Sequence, residues 1–439
     1  MIVKTVAQNL YDATSNSKEE HPNAERESNS LRRNRNNELH QVFDKLEQAK
    51  SNYKVKSYKS QERRNPPLGF LSTKNHQSLT MHVEIETFTV RKRFALTISR
   101  GTTAQSTNLW VKLEHEGIEG WGEASPFSTG SRPQTTEILL AALQEVAPLL
   151  EKFTPFDRQK IEEVLTEVNL PSAARAGIDM AMHDWLGKKA GLPLWKMWGL
   201  DRSRIVPTSV TIGINSPRSA RERVRDWFGK DATDPGSIKY RAVKVKLGNP
   251  AGIAADKAML IAVLDEVPAN LKISVDANGG WSLKDAAQMC HWLEKYQINY
   301  VEQPLSPVAD MDEFSELYRQ SPLPIFADES CFNSSDIPKL APCVHGINIK
   351  MMKSGGLTEA MRMIHTAKAC NLQVMFGCYS DSAIANTAAA QLSPLADYLD
   401  LDSHLNLLDD PFTGAIVENG CLLPNGRSGL GVRRVEIGE

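Results

Sequence analysis

The 439-residue chain has no apolar run near the roughly 18 residues a membrane-crossing helix needs, so no membrane partner is expected. It also lacks a charge imbalance. The formal net charge is -2 at pH 7, which predicts no nucleic acid or other polyanion as a partner. Its six cysteines, Cys290, Cys331, Cys343, Cys370, Cys378 and Cys421, include no CxxC pair. That usage argues against a disulfide frame or a zinc site and fits a reducing, cytoplasmic setting. None of the histidines forms an HExxH pair. Large apolar residues are scarce over residues 1–80, which are dense in Asn, Ser, Lys, Glu and Arg. Such a composition predicts a disordered N-terminal extension, with only Leu39, Val42, Phe43 and Leu46 at helical spacing. The acids Glu19, Glu20, Glu25 and Glu27 fit poorly with a transit peptide, and a second reading starts the working protein at Met81.

Beyond residue 80 there is material for a sizeable core, the whole chain being 41% hydrophobic. Residues 81–205 read as an α+β capping domain. HVEIETFTV, a loop containing SRGTTAQ, NLWVKLEHEG and the turn GIEGWGEASP suggest an antiparallel sheet. Helices follow in TTEILLAALQEVAPLLEKF and from Pro171 to Trp198, the latter rich in Ala173, Ala174, Ala176, Gly177 and Ala181 and broken by Gly191 and Pro193. Over 206–410 the pattern alternates strand and helix, and 411–439 holds too little for a domain and is expected to pack back on the first one.

The alternating region repeats one device, a short Val/Ile-rich run ending in an ionisable residue. YRAVKVK, LKISVDAN, INYVEQP, LPIFADES and VHGINIK end their apolar runs at Lys246, Asp276, Glu302, Asp328 and Lys350. Runs of this kind between helical segments are buried parallel strands. Asp276, Glu302 and Asp328 are spaced 26 residues apart, close to the ~30 residues of one unit in a β/α barrel. The fold class predicted is α/β, a modified (β/α)7β TIM-type barrel with an α+β cap completed by the C-terminal segment. In such a barrel the three acids converge at the C-terminal rim. Three carboxylates at short range raise one another's pKa unless a cation joins them, and an all-oxygen donor set favours Mg2+. Strand alternation puts Lys244 and Lys246 on one face, and Asp400 and Asp402 on one face of the last run.

These residues resemble the enolase superfamily in its muconate lactonizing subgroup. The likeness is carried by KVK at Lys244–Lys246, Asp276 in DAN, Glu302 in EQP, Asp328 in ADES and Lys350 in NIKMMKSGG, and runs from about Met81 to the C-terminus. The DLD at Asp400–Asp402 looks like the mark of the dipeptide epimerases, whose best-known members act on L-Ala-D/L-Glu and bring peptidoglycan peptide recycling with them as a use. The resemblance implies Lys246 and Lys350 as proton-transfer bases, and Asp276, Glu302 and Asp328 as ligands of one Mg2+ per subunit. It places Thr211, Lys244 and Cys378 at substrate, makes Arg100 a capping-loop arginine, and gives Asp400 and Asp402 the dipeptide's ammonium. A homo-oligomer is expected.

Epimerisation takes a proton from the carbon beside a carboxylate and returns it on the other face, through an enediolate. That needs charge stabilisation at the carboxylate and two bases on opposite faces. A lysine serves as a base near neutral pH with a pKa of about 7 to 8, which asks for a downward shift of ~3 units, for which Lys244, Mg2+ and burial are the available causes. Three rivals share parts of this reading. An N-acylamino-acid racemase, o-succinylbenzoate synthase or muconate cycloisomerase would use the same scaffold without needing Asp400 and Asp402. A non-catalytic metal-binding barrel would exchange no α-proton, and a Schiff-base aldolase on Lys246 would need no metal.

Overall fold

The computed structural model describes residues 80–129, 133–229 and 239–435. The extension read over 1–80 and its Leu39–Leu46 turns lie, but for Thr80, outside them. Strands β1 (His82–Ile98) and β2 (Gly101–His115) form a long antiparallel hairpin to which β3 (Ile118–Ala124) adds. The loop expected at SRGTTAQ is mostly strand, since Thr102 and Thr103 pair with Thr97 and Leu96 and only Ser99 and Arg100 remain at the tip. β-Branched threonines favour the extended ladder there, so the tip projects farther than the sequence suggested.

Helices α1 (Thr136–Leu150) and α3 (Ser172–Ala190) pack on this sheet, and α2 (Arg158–Glu167) packs against α1. The Ala/Gly stretch makes α3 a close neighbour of β3. A Cβ on Gly122 would overlap the Gly177 carbonyl, and one on Gly120 the Ala181 carbonyl. The helix stops where Gly191 turns left-handed at φ 70°.

The alternating region is a ring of eight parallel strands in sequence order: β4 (Ser209–Ile212), β5 (Ala242–Lys246), β6 (Lys272–Asp276), β7 (Val301–Glu302), β8 (Ile325–Ala327), β9 (Gly346–Ile349), β10 (Gln373–Phe376) and β11 (Tyr398–Leu399). A parallel bridge between Thr208 and Leu399 joins last to first, and Leu401 N donates to Thr208 Oγ1 at 2.8 Å. The bottom of the ring is filled by Tyr300, Phe326 and Met375 with Tyr398 against them. Gly346 has no side chain because the Phe326 ring takes its place. This apolar plug leaves the polar inward residues one layer up, at the strands' C-terminal ends.

The C-terminal segment returns as expected. Phe412 packs against Trp121 and Phe88 of the first sheet, with ring centroids 5.5 and 5.8 Å apart, and Leu430 N donates to Asp184 of α3. No helix among the described residues is long and apolar enough to cross a membrane.

Candidate active site

Lys246, Asp276 and Glu302 are the last residues of three adjacent strands and lie in register, Lys246 opposite Asp276 and Asp276 opposite Glu302. Asp328 and Lys350 follow β8 and β9 directly. One oxygen of each carboxylate lies within 4.8 Å of the others, and all three side chains are wholly buried. This is the convergence expected from the spacing. With carboxylate oxygens alone as donors, the trio fits a hard divalent cation and not a thiophilic one.

Each acid also touches a lysine. Lys246 Nζ stands 2.6 Å from Asp276 Oδ2, Lys350 Nζ 2.6 Å from Asp328 Oδ2, and Lys244 Nζ 2.5 Å from Glu302 Oε2. In the eight-strand ring β5 and β9 are four strands apart either way round, so Lys246 and Lys350 approach the trio from opposite walls. Both line the same cavity of about 960 Å3. Their charge state here differs from the expected base. Burial, the largest single influence, lowers the Lys246 pKa, but the carboxylates of Asp276, Glu302 and Asp400 together outweigh it and the net direction is up. Burial is likewise the largest single influence at Lys350 and lowers it, but Asp328 with Tyr379, Glu329 and Glu302 outweighs it, and the lysine is held well above its ordinary value. The acids answer in kind. Burial and the charge of Glu302 push Asp276 up to about 7, while at Asp328 burial is outweighed by Lys350 and Lys353, which hold it far down.

The two aspartates beyond β11 are not equivalent. Asp400 Oδ2 receives Lys244 at 2.8 Å and its Oδ1 receives the Ser209 hydroxyl at 2.5 Å. Asp402 Oδ2 takes the Thr211 amide at 2.7 Å, and its Oδ1 faces the Cys378 thiol at 3.9 Å. Burial and the neighbouring Asp400 push Asp402 up to about 6. Thr211 therefore supports both aspartates, its hydroxyl reaching Asp400 Oδ1 at 3.4 Å. Cys378 sits between them and the large cavity, its thiol pushed up to about 12 by burial. Arg100, at the hairpin tip, arches over the barrel mouth. Its Nη1 donates to Asn278 O at 2.7 Å and its Nη2 to Glu329 Oε1 at 2.6 Å.

Several polar residues at the site escaped the sequence reading. Lys353 is buried and binds Asp328 Oδ1 at 2.7 Å, and Asn348 Nδ2 donates to Glu302 Oε1 at 2.6 Å. Asn348 was findable, since it precedes Lys350 by two on the same strand and so shares its face. Lys353 lies one turn into a short helix and reads as solvent-facing. Glu123, near the end of β3, is buried against the N-terminus of α11 (Ala383–Leu392; the helices between are α4, Pro217–Phe228, α5, Ile253–Leu264, α6, Leu283–Leu293, α7, Met311–Gln320, α8, Ile337–Leu340, α9, Met351–Ser354, and α10, Leu357–Ala369). It accepts from Ser382 N, Ser382 Oγ and Ala385 N at 2.7 to 3.1 Å, and from Asn108 and Ser125. A carboxylate is favoured at a helix N-terminus, so Glu123 fastens the first sheet to the barrel.

Comparison with known proteins agrees with this architecture. The family model "Mandelate racemase / muconate lactonizing enzyme, N-terminal domain" matches residues 82–199, and "Enolase C-terminal domain-like" matches 220–436. A hydrophobic dipeptide epimerase of Roseobacter litoralis is 42% identical over 352 residues, covering 80% of this chain and 98% of the relative. An L-Ala-D/L-Glu epimerase of Bacteroides thetaiotaomicron is 35% identical, covering 79% of this chain and 86% of its own. Among solved structures, a dipeptide epimerase of Enterococcus faecalis complexed with Mg and L-Leu-L-Tyr superposes with a TM-score of 0.74 at 31% identity, covering 81% of this chain and 99% of that one.

Proposed function

Because the chain belongs to the mandelate racemase / muconate lactonizing enzyme family of the enolase superfamily, we propose that it is a Mg2+-dependent dipeptide epimerase inverting the α-carbon of the second residue. The observation that carries this is the placement of two lysines on opposed strands beside three convergent carboxylates, with an aspartate holding an open oxygen farther along the same mouth.

Asp276, Glu302 and Asp328 would hold the ion, which supplies electrostatic stabilisation to the substrate carboxylate as its α-proton leaves. The chain's own residues do the rest. The α-carbon beside that carboxylate lies between Lys246 and Lys350, one acting as neutral amine to take the proton and the other as ammonium to deliver one on the far face. The handedness of the substrate decides which does which. Lys353 and Asn348 keep Asp328 and Glu302 oriented through contacts of 2.6 to 2.7 Å. The dipeptide then extends toward Asp402, whose Oδ1 receives the substrate ammonium. Asp400 shares the subsite and holds Lys244 in place.

The second residue's side chain is read as neutral. Arg100, the one arginine among the described residues that line the cavity, already spends its charge on Glu329. The rest of the wall mixes the apolar Leu96, Ile98 and Phe127 with uncharged polar groups such as Thr103, Gln105 and Ser106, and adds the acid Glu137.

The division into a cap of 81–205 with 411–439 and a barrel of 206–410, a cytoplasmic setting and a homo-oligomer belong to the same reading. The test is to incubate the Mg2+-loaded enzyme with mixed L,L-dipeptides in D2O. Deuterium should enter the α-position of the second residue only. Its absence from every dipeptide, under conditions where a metal binds, would leave a binding barrel, and borohydride trapping of a substrate on Lys246 would point to Schiff-base chemistry.

A further inference from the structure

Five lysines are buried among the described residues, and four of them, Lys244, Lys246, Lys350 and Lys353, are ion-paired. Lys92 is the exception. It is 8% exposed, yet its ammonium makes no ion pair and no side-chain hydrogen bond within the described residues. Its position is fixed by what surrounds it. Lys92 follows Val90 by two on β1 and so shares its inward face, while Arg91 and Arg93 on either side stay exposed, and the β1–β2 register slips just beyond, between Arg91 and Leu96. The strand is then stitched to the segment after the barrel. Lys92 bridges Leu407, Arg91 binds Asp409 through both its amide and its Nε at 2.7 Å, and Phe94 exchanges two hydrogen bonds with Asn406. A long side chain held this firmly at its root brings an ammonium with no ion-pair partner of its own to the edge of an enclosed space, where an oxygen-bearing ligand can complete it.

The side chain borders a small cavity of about 40 Å3 shared with Leu96, Thr211, Asp400, Asp402 and Asn406. The ionisable groups facing it are Cys378, Asp402 and Asp381. The cavity adjoins the large one through Lys246, Cys378 and Tyr379. Here the dipeptide reading supplies the missing party. With the substrate ammonium on Asp402, the carbon that bears it stands at this cavity, and the first residue's side chain has this space to enter. A substrate bringing one cation next to Lys92 is best matched when the same residue also brings an oxygen.

We infer that Lys92 is a specificity residue for the first position of the dipeptide, its ammonium receiving a short oxygen-bearing side chain such as that of Ser or Asp and turning away cationic ones. This rests on the dipeptide reading of the site. The volume sets the length, since a long first side chain has no room beside the lysine stem. The charge sets the class.

The experiment compares kcat/KM for α-proton exchange of L-Asp-L-Leu, L-Ser-L-Leu, L-Ala-L-Leu and L-Lys-L-Leu by the full-length Mg2+-loaded enzyme and its Lys92→Met, Lys92→Arg and Lys92→Glu variants. A charge-assisted hydrogen bond gives an advantage of about tenfold or more to Asp and Ser over Ala in the wild type, with Lys below Ala. Lys92→Met should bring the Asp-to-Ala ratio to within about threefold, Lys92→Arg should keep the preference, and Lys92→Glu should put Lys above Asp. A wild-type enzyme indifferent to the first residue overturns the proposal. So does a Lys92→Met variant that loses all four substrates equally, which is how a lysine that merely balances Asp402 and Asp381 behaves. If Lys92→Met does not fold, the wild-type order and the other two variants decide alone. Exchange in none of the four by any form overturns the dipeptide reading itself, whereas exchange with unmoved ratios overturns only the role of Lys92.

Discussion

Lys244 lies between Glu302 and Asp400, 2.5 Å from one carboxylate and 2.8 Å from the other, and so ties the carboxylate trio to the aspartates beyond β11 through a single wholly buried side chain. Replacing it by Met leaves two carboxylates without their cation. Breaking a buried pair from one side costs about 3 to 5 kcal/mol, so Lys244→Met should lower the stability measured by urea unfolding by that order. It should also raise the KM for dipeptides and move the pH profile of kcat, because a positive neighbour of Lys246 is gone and that lysine gives up its proton less readily. A variant as stable as the wild type, with an unmoved pH profile, would remove Lys244 from the account.

If Asp402 receives the substrate ammonium as proposed, it sets the pH dependence of substrate recognition. Its pKa is pushed up to about 6 by burial and by the charge of Asp400. Below that value it is protonated and cannot pair with an ammonium, so dipeptide KM should climb as the pH falls through about 6. N-acetylated amino acids, which lack the ammonium, should show no such limb. Asp402→Asn should abolish the limb and raise dipeptide KM by about 10- to 100-fold, the equivalent of a charged hydrogen bond of ~1.5 to 3 kcal/mol. Equal losses on both substrate types would mean the aspartate acts only on the fold.

Chelation should separate chemistry from folding. The trio has four ammonium partners of its own in Lys244, Lys246, Lys350 and Lys353, so it is not left as bare negative charge when no cation is present. EDTA is therefore expected to abolish exchange while circular dichroism stays native and the Tm moves by only a few degrees. Cooperative unfolding on chelation would show that the ion is structural.

The contact of β3 with α3 allows no extra carbon. Gly122→Ala would drive a methyl into the Gly177 carbonyl one residue from Glu123, which anchors the sheet on the α11 N-terminus. Overpacking of this kind costs about 1 to 3 kcal/mol. The expected result is a lower Tm with the barrel's exchange chemistry reduced in proportion to cap displacement, read as a larger rise in KM than fall in kcat. A neutral Gly122→Ala would contradict the close approach.

Much of this site could be read before any coordinates, because β/α barrels convert sequence period into spatial convergence. Asp276, Glu302 and Asp328 sit at one place in a repeat, and the repeat decides where they meet. The aspartates 400 and 402 were legible for a related reason, although they lie past the strand and not within it. What stayed hidden depends on contacts between distant segments. Lys92 stands in the basic run RKRF, which looks like a solvated face, yet it shares the inward face of Val90 and is covered by the segment around Leu407 from the far end of the chain. Glu329, next to a ligand in ADES, gave no sign that it would consume the charge of Arg100, 229 residues away. The lysines were legible in position but not in charge state, since the Asp276 and Asp328 carboxylates that hold their protons come from other strands.

The central claim is that Lys246 and Lys350 serve opposite faces of one carbon, and NMR of α-proton exchange in D2O tests it most directly. Lys246→Gln and Lys350→Gln should each be compared with wild type on an L,L-dipeptide and on its L,D epimer. The account predicts that both variants lose interconversion, and that each retains exchange with one epimer only, the two variants retaining different ones. Retention of the same epimer by both variants would contradict it, for then a single face would be doing all of the proton transfer.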